Sequence, residues 1–187
     1  MGKVNLDIPK HFIENWQEIV NLIADVINVP AGLIMRLSDP EIEVFVSSQT
    51  KGNPYKVGDK EHVWDSKLYC ERVLKTKDKL LIPNALEDEY WKDNPDIKFN
   101  MISYLGFPII MPNQEPFGTI CILDNKSNAY SEKFIKLVSK FRNIIQHDIE
   151  IVYMNKILGD ENKKLSDYLM ELQAFHAEIH WFMRGKL

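Results

Sequence analysis

Two apolar runs separated by a short polar patch constrain the fold more than any other feature of this sequence. The runs "YLGFPIIM" (104–111) and "FGTICIL" (117–123) flank three polar residues that lie between two prolines. Apolar runs of this length, bounded by turn residues, are typical of strands, and the intervening patch is typical of a hairpin turn. The second run is apolar on both faces, which predicts a buried central strand.

Further helices and strands are predicted around this hairpin. Apolar residues at helical spacing predict a first helix over 9–28 and a second over 66–76, for which Asp65 or Ser66 is a suitable N-cap. Additional strands are predicted over residues 31–37, 42–48 and 79–85. A polar loop and a set of short helical turns are predicted over residues 49–64 and 86–102, respectively. This order of elements predicts an α+β fold with helices on the faces of a mixed antiparallel sheet.

The last third of the chain predicts one long helix, because neither a proline nor a turn cluster occurs after Ser131. Aliphatic residues recur there at every seventh position, as in a coiled coil. This column consists of Leu137, Ile144, Ile151, Leu158, Leu165, Leu172 and Ile179. The column three positions later is interrupted by polar residues such as His147 and Glu161. We therefore expect a coiled-coil-like C-terminal helix that pairs two copies of the chain through the aliphatic column from Ile144 onward.

The composition excludes some classes of function. Apolar residues make up 45% of the chain, which is enough for a sizeable core. The 23 basic and 27 acidic residues give a formal charge of −4, so we expect no binding to nucleic acid. No run is long and apolar enough for a membrane segment, and the two cysteines, Cys70 and Cys121, indicate a reducing compartment. We expect a cytoplasmic protein.

Three motifs in order resemble those of a GAF domain, the small-molecule sensor fold of bacterial signalling proteins such as histidine kinases and diguanylate cyclases. They are "YCERVLKTKDKLLIPNALEDEYWKDNPDI", "SYLGFPIIMPNQEPFGTICILD" and "YSEKFIKLVSKF". The resemblance implies a GAF-like, PAS-related fold over residues 10–152, preceded by an N-terminal tail (1–9) and followed by a signalling and dimerisation helix (153–187). Family members usually carry glycine in place of Gln114, where the turn requires positive φ, and we expect Asn113 to take that role.

The resemblance also implies a ligand pocket between the sheet and the segment that runs from the second helix to the hairpin. The candidate ligand-binding residues in that segment are Tyr69, Cys70, Asp88, Tyr90, Trp91, Asn94, Asp96, Asn100 and Ser103. The alternative is that Tyr90 and Trp91 are core aromatics beneath a collapsed lid, which would make the domain a ligand-free structural dimerisation module. The resemblance specifies neither a ligand nor a cofactor, because GAF pockets hold very different molecules.

A cysteine-dependent redox enzyme of the methionine sulfoxide reductase kind is the competing prediction. We expect Cys70 and Cys121 to be buried packing groups, with no second cysteine close enough to Cys70 to form a disulfide. The sequence "FHAEIH" places His176 and His180 four residues apart, but a metal needs a third ligand, so no metal site is predicted. The cyclic-nucleotide signature of GAF domains fails at its closing positions, Val138 and Ser139, and no motif of an enzyme is present.

The leading prediction is therefore a non-catalytic sensory domain. It would bind an unidentified small molecule and relay the signal through its last helix to an output domain. The chain ends in "MRGKL" on an uncapped helix, so we expect it to be cut between two modules of a longer protein.

Overall fold

Six strands form a single sheet in the computed structural model, which describes residues 6–184. In chain order they are β1 (Ala31–Ser38), β2 (Glu41–Ser47), β3 (Lys60–His62), β4 (Leu80–Ile82), β5 (Ser103–Ile110) and β6 (Pro116–Asp124). Their order across the sheet is β3-β2-β1-β6-β5-β4. Every neighbouring pair is antiparallel, so the sheet is not mixed. Strand β6 pairs with both β1 and β5 and is buried, which confirms the prediction of a central strand.

Three α-helices and two short 3₁₀ helices complete the part of the fold that the structure describes. They are α1 (Lys10–Ile27), α2 (Tyr69–Thr76), α3 (Glu132–Arg184) and the 3₁₀ helices Ala85–Glu87 and Pro95–Phe99. Contacts along the chain divide it into two units. The first unit spans residues 8–150, and the second contains the described residues before Ile8 and from Ile151 onward. No helix within residues 6–184 combines the length and apolar character needed to span a membrane.

The structure corrects three local predictions. Helix α2 begins at Tyr69 with Leu68 as its N-cap, because Asp65 and Lys67 adopt positive φ and cannot join a helix. The predicted loop over 49–64 contains the short edge strand β3.

In the hairpin turn it is Gln114 that adopts positive φ (66°), so the assignment of that role to Asn113 was wrong. The side chain of Asn113 instead accepts a hydrogen bond from the backbone N–H of Glu115 at 3.1 Å, as asparagine often does in turns.

Helix α1 packs on one face of the sheet, over β1 and β2. Its closest approach is at Gly32, where an added Cβ would lie 2.8 Å from the carbonyl oxygen of Val20. The same layer contains Trp16, whose indole N–H donates to Asp148 of α3 at 2.8 Å. Trp16 also makes edge contacts with Phe45 and Phe117 at ring-centre distances of 6.1 and 6.2 Å. These contacts fix α1 and the first turns of α3 relative to the sheet.

The two parts of helix α3 differ in how much of their surface is buried. In the first unit, a buried stripe consists of Val138, Ile145 and Ile149, and Ile144 lies beside this stripe with 49% of its surface exposed. In the second unit, the described helix is exposed along nearly its whole length. The seven-residue aliphatic column remains between 42% and 64% exposed at Ile151, Leu158, Leu165, Leu172 and Ile179.

Substitution of Gly32 by alanine should destabilise the first unit by about 1–3 kcal/mol, because the new methyl group would collide with the backbone of α1. Chemical denaturation followed by circular dichroism measures this change. Gly159→Ala is the control, since nothing lies within 4 Å of its added Cβ and alanine favours a helix. Equal stability of the two variants would show that α1 does not pack closely on β1.

Candidate functional site

A cavity of about 340 Å³ lies on the face of the sheet opposite α1. Successive residues of a strand point to opposite faces, so Leu33 and Met35 of β1 face this cavity while Gly32 faces α1. The neighbouring strands contribute Ile42 and Val44, Tyr104, and Cys121 and Leu123 in the same way. The floor of the cavity is therefore formed by the central strands and is largely apolar.

The roof of the cavity comes from segments that connect the strands. Leu68 and Cys70 lie at the start of α2, and Tyr55 lies in the loop before β3. The second 3₁₀ helix contributes Pro95, Asp96, Lys98 and Phe99, and the rim at β3 is formed by Asp59, Lys60 and Glu61. An apolar concavity with a few convergent polar groups is the usual form of a small-molecule site.

Three aromatic rings in contact support the wall next to α2. Tyr69 stacks on Tyr104 at 4.8 Å between ring centres and contacts Trp91 at 5.3 Å. The ring of Tyr104 lies across Gly106, in the space where any Cβ on that residue would have to be. Glycine at this position therefore allows Tyr104 to lie flat against its own strand, with its hydroxyl group beside Cys70.

The two cysteine side chains line the same cavity, and each shifts the pKa of the other. Cys70 and Cys121 are both free thiols, and both are buried. The sulfur of Cys70 also lies 3.4 Å from the hydroxyl of Thr119 and 3.5 Å from that of Tyr104. Interaction with the Cys70 sulfur, together with burial, holds the pKa of Cys121 well above its usual range.

Asp96 and Tyr55 form the main polar pair of the cavity. The hydroxyl of Tyr55 donates to Oδ1 of Asp96 at 2.8 Å. Burial raises the pKa of Asp96 to about 6, although the hydrogen bond from Tyr55 and the positive charge of Lys98 oppose that shift. Burial also raises the pKa of Tyr55, which therefore remains a hydrogen-bond donor.

The backbone around Asp96 is held by Asn94. The side-chain oxygen of Asn94 accepts from the backbone N–H of Asp96 at 2.8 Å, and its amide group donates to the carbonyl of Lys67 at 2.6 Å. The carbonyl of Asp96 in turn accepts from the backbone N–H of Met101 at 3.2 Å. The carboxyl group is thus carried by a segment that is fixed on both sides.

The structure brings together only part of the predicted ligand-binding set. Cys70 and Asp96 line the cavity. Tyr69, Trp91 and Asn94 are buried behind it, in the supporting contacts described above. The remaining four do not line the cavity. Asp88 caps the turn before Tyr90, and Tyr90 is half exposed. Asn100 ends the second 3₁₀ helix. The hydroxyl of Ser103 lies 3.1 Å from the hydroxyl of Tyr130.

Sequence reasoning missed most of the residues that line the cavity. Tyr55 lies in a segment that was predicted as a polar loop, and a single tyrosine between Gly52 and Gly58 was the available signal. Leu33 and Cys121 were predicted only as strand residues. Which face of a strand borders a cavity depends on what packs against each face, and the strand's own sequence, apolar on both faces, does not contain that information.

Solved structures with a similar fold come from several kinds of protein. The GAF domain of an Acinetobacter phosphoenolpyruvate-protein phosphotransferase is 16% identical, with a TM-score of 0.61 over 80% of this chain and 86% of that one. Residues 122 to 287 of a methyl-accepting chemotaxis protein are 12% identical, with a TM-score of 0.63 over 78% and 92% of the two chains. A type II free methionine-R-sulfoxide reductase from Thermoplasma acidophilum is 13% identical, with a TM-score of 0.60 over 78% and 97%. At such identities the likeness shows the fold alone.

A comparison with curated protein sequences found no relative of this chain. The sequence profile of the GAF domain, in contrast, matches residues 15–145, which is well over half of the chain. The matched region begins in α1, includes all six strands and ends in the first turns of α3. The chain therefore belongs to the GAF domain family.

Proposed function

We propose that this GAF domain is a non-catalytic sensory module of a signal-transduction protein, which binds a small molecule in the cavity and relays the signal through α3 to an output domain. GAF domains are commonly sensory, and a chemotaxis protein is among the structural neighbours. The observation that carries the proposal is the apolar cavity of about 340 Å³ with the Asp96–Tyr55 pair at its wall. We propose a cytoplasmic location for this module, as for an intracellular sensor.

The central strands offer a route from the cavity to α3. Leu33 pairs with Cys121 on the cavity side, and the next pair, Ile34 with Ile120, faces the layer of α1. A ligand that moves β1 and β6 therefore also moves the opposite face of the sheet. That face is connected to α3 through Trp16, which donates to Asp148. Ligand binding would then favour one of two arrangements of α3.

The second half of the proposal is a homodimer formed by α3. The exposed aliphatic column repeats every seven residues from Ile144 to Ile179, which is the pattern of a coiled coil. The polar residues His147 and Glu161 interrupt the neighbouring seam. An interrupted seam does not fix one register as firmly as a uniform apolar one, so it suits a helix pair with two arrangements.

Native mass spectrometry after incubation with a small-molecule extract of cells should show one added molecule per chain, lost on denaturation. A cavity of this size fits a ligand of roughly 100–300 Da. Val44→Phe should abolish the added mass, because Val44 lines the cavity and phenylalanine fills it.

The matched control is Leu22→Phe, which places the same ring on the exposed face of α1, where Leu22 is 50% exposed. This variant should keep the added mass. A wild-type protein that takes up no molecule, or a Val44→Phe variant that takes up the same one, would contradict binding in the cavity.

Replacing both Leu165 and Leu172 by glutamate should give a folded monomer, because it places four like charges in the paired column of a dimer. Sedimentation equilibrium measures the mass, and circular dichroism measures the retained fold. The control, Ser166→Glu with Gln173→Glu, adds the same charges at the same seven-residue spacing one position away from the column. A dimer that survives the first pair of substitutions would exclude α3 as the dimer interface.

The presence of both Cys70 and Cys121 in the lining of one cavity favours a second candidate, a sulfoxide-reducing enzyme. One structural neighbour is a free methionine-R-sulfoxide reductase. In such a reaction the sulfoxide oxygen leaves as water, the sulfoxide becomes a thioether, and the two thiols lose two hydrogens to form one disulfide. A further dithiol would have to reduce that disulfide before the next turnover.

We expect the sensory function to prevail in a direct test. Native protein incubated with free methionine sulfoxide should produce no methionine, and both thiols should react slowly with a thiol reagent because both are buried. Conversion of one sulfoxide per chain, with a loss of 2 Da from the protein that Cys70→Ser and Cys121→Ser each prevent, would establish the enzyme instead.

A further inference from the structure

We propose that the ligand of the cavity is a small organic cation, a protonated amine on an apolar body, whose charged group is bound by Asp96. This inference rests on the proposed sensory function and specifies the chemistry of its ligand. It is carried by the position of Asp96, the pairing of the positive side chains around the cavity, and the apolar and aromatic character of the walls.

The carboxyl group of Asp96 has one oxygen available to a ligand. Oδ1 accepts from the hydroxyl of Tyr55 at 2.8 Å. Within residues 6–184 no donor is hydrogen-bonded to Oδ2, and Asp96 lines the cavity. Asp96 is partly buried, and its Oδ2 is not sealed off from the cavity. A carboxylate that loses its remaining water to a bound ligand needs a donor or a positive charge in return. A ligand with an N–H donor and a positive charge would supply both.

The positive side chains around the cavity already have acidic partners. Lys98 contacts Glu61 at 3.0 Å, and Lys60 lies 3.7 Å from Glu43 and 3.8 Å from Glu41. Neither lysine forms an ion pair with Asp96 in the described part of the chain. Two acidic groups of the lining, Asp59 and Asp96, therefore have no ion pair within residues 6–184. Asp59 lies at the rim, where its carboxylate accepts from the backbone N–H of Lys56 at 2.9 Å, so the carboxylate beneath the roof that an anionic ligand would meet is that of Asp96.

The walls suit an apolar body attached to the cation. Leu33, Ile42, Val44 and Leu123 supply aliphatic surface. Aromatic rings lie close to the carboxyl group, since Tyr55 bonds Asp96 directly and contacts Phe99 at 5.6 Å between ring centres. Aromatic faces attract ammonium groups, so these rings add to the attraction of the carboxylate.

The site is also held in place before a ligand binds. The second 3₁₀ helix is fixed by the hydrogen bonds of Asn94 to Asp96 and to the carbonyl of Lys67. Asp96 therefore does not have to be ordered on binding, which reduces the entropic cost of recognition. These contacts lie within one unit of the chain, residues 8–150.

Three probes of nearly equal shape test the charge preference: phenethylamine, 2-phenylethanol and phenylacetate. Isothermal titration at pH 7.5 should give at least tenfold tighter binding of the amine than of the alcohol, and no binding of the carboxylate. Asp96→Asn should reduce the ratio of amine affinity to alcohol affinity to about one. Asp96→Glu, which keeps the charge, should retain a preference for the amine.

The control variant is Asp93→Asn, which neutralises an exposed carboxylate three residues earlier in the chain. It should behave as wild type with all three probes, and circular dichroism checks that every variant is folded. The affinities of the wild-type protein for the amine and the alcohol already decide the charge preference. The test therefore does not depend on the folding of Asp96→Asn.

The pH dependence provides an independent readout. The pKa of Asp96 is about 6, so this carboxyl group is mostly protonated at pH 5 while the amine stays charged. Amine affinity should fall about tenfold between pH 7.5 and pH 5 in wild type and stay constant in Asp96→Asn. The other ionisable groups facing the cavity, which both proteins share, are Tyr55, Asp59, Lys60, Glu61, Cys70, Lys98, Tyr104 and Cys121.

The outcomes separate this inference from the proposed function. Equal binding of the amine and the alcohol, or tightest binding of phenylacetate, would overturn the organic cation while leaving a ligand-binding cavity. Failure of all three probes to bind would count against the cavity as a ligand site, and therefore against both proposals.

Discussion

The pairing of β1 with β6 is the constraint on which the rest of the structure depends. These two central strands are apolar on both faces, so each face needs its own cover. One face is covered by α1, which approaches as closely as Gly32 allows. The other face is covered by loops, α2 and a 3₁₀ helix, which do not fill the space above it completely. The cavity is the volume that this less regular cover leaves open.

The polar groups of the cavity follow from the same arrangement. Asp96 lies on a short 3₁₀ helix because Asn94 caps that helix, and the cap directs the segment over the sheet. Tyr55 reaches Asp96 from a loop 41 residues earlier in the chain. Burial raises the pKa of the carboxyl group to about 6, which makes its charge sensitive to the groups around it.

The two parts of α3 connect this site to a possible readout. Its first turns are buried against the domain, whereas the later turns expose an aliphatic column that a single chain does not cover. Helices of this length without a core are normally stabilised by a partner helix. The same helix is therefore packed on the GAF domain at one end and exposes an aliphatic column at the other, which is the arrangement that the proposed relay requires.

The sequence by itself determined the longer elements, their order and the family, but not the short edge strand β3. The apolar hairpin predicted the central strands, and the heptad column predicted the exposed stripe of α3, because both patterns are local and periodic. Only the tertiary structure decided which residues face the cavity. Cys70 and Cys121 lie 51 residues apart in sequence, and Tyr55 and Asp96 lie 41 apart, yet all four line one cavity and the second pair is hydrogen-bonded. Such contacts depend on how distant segments pack over the sheet, and no local pattern encodes that packing.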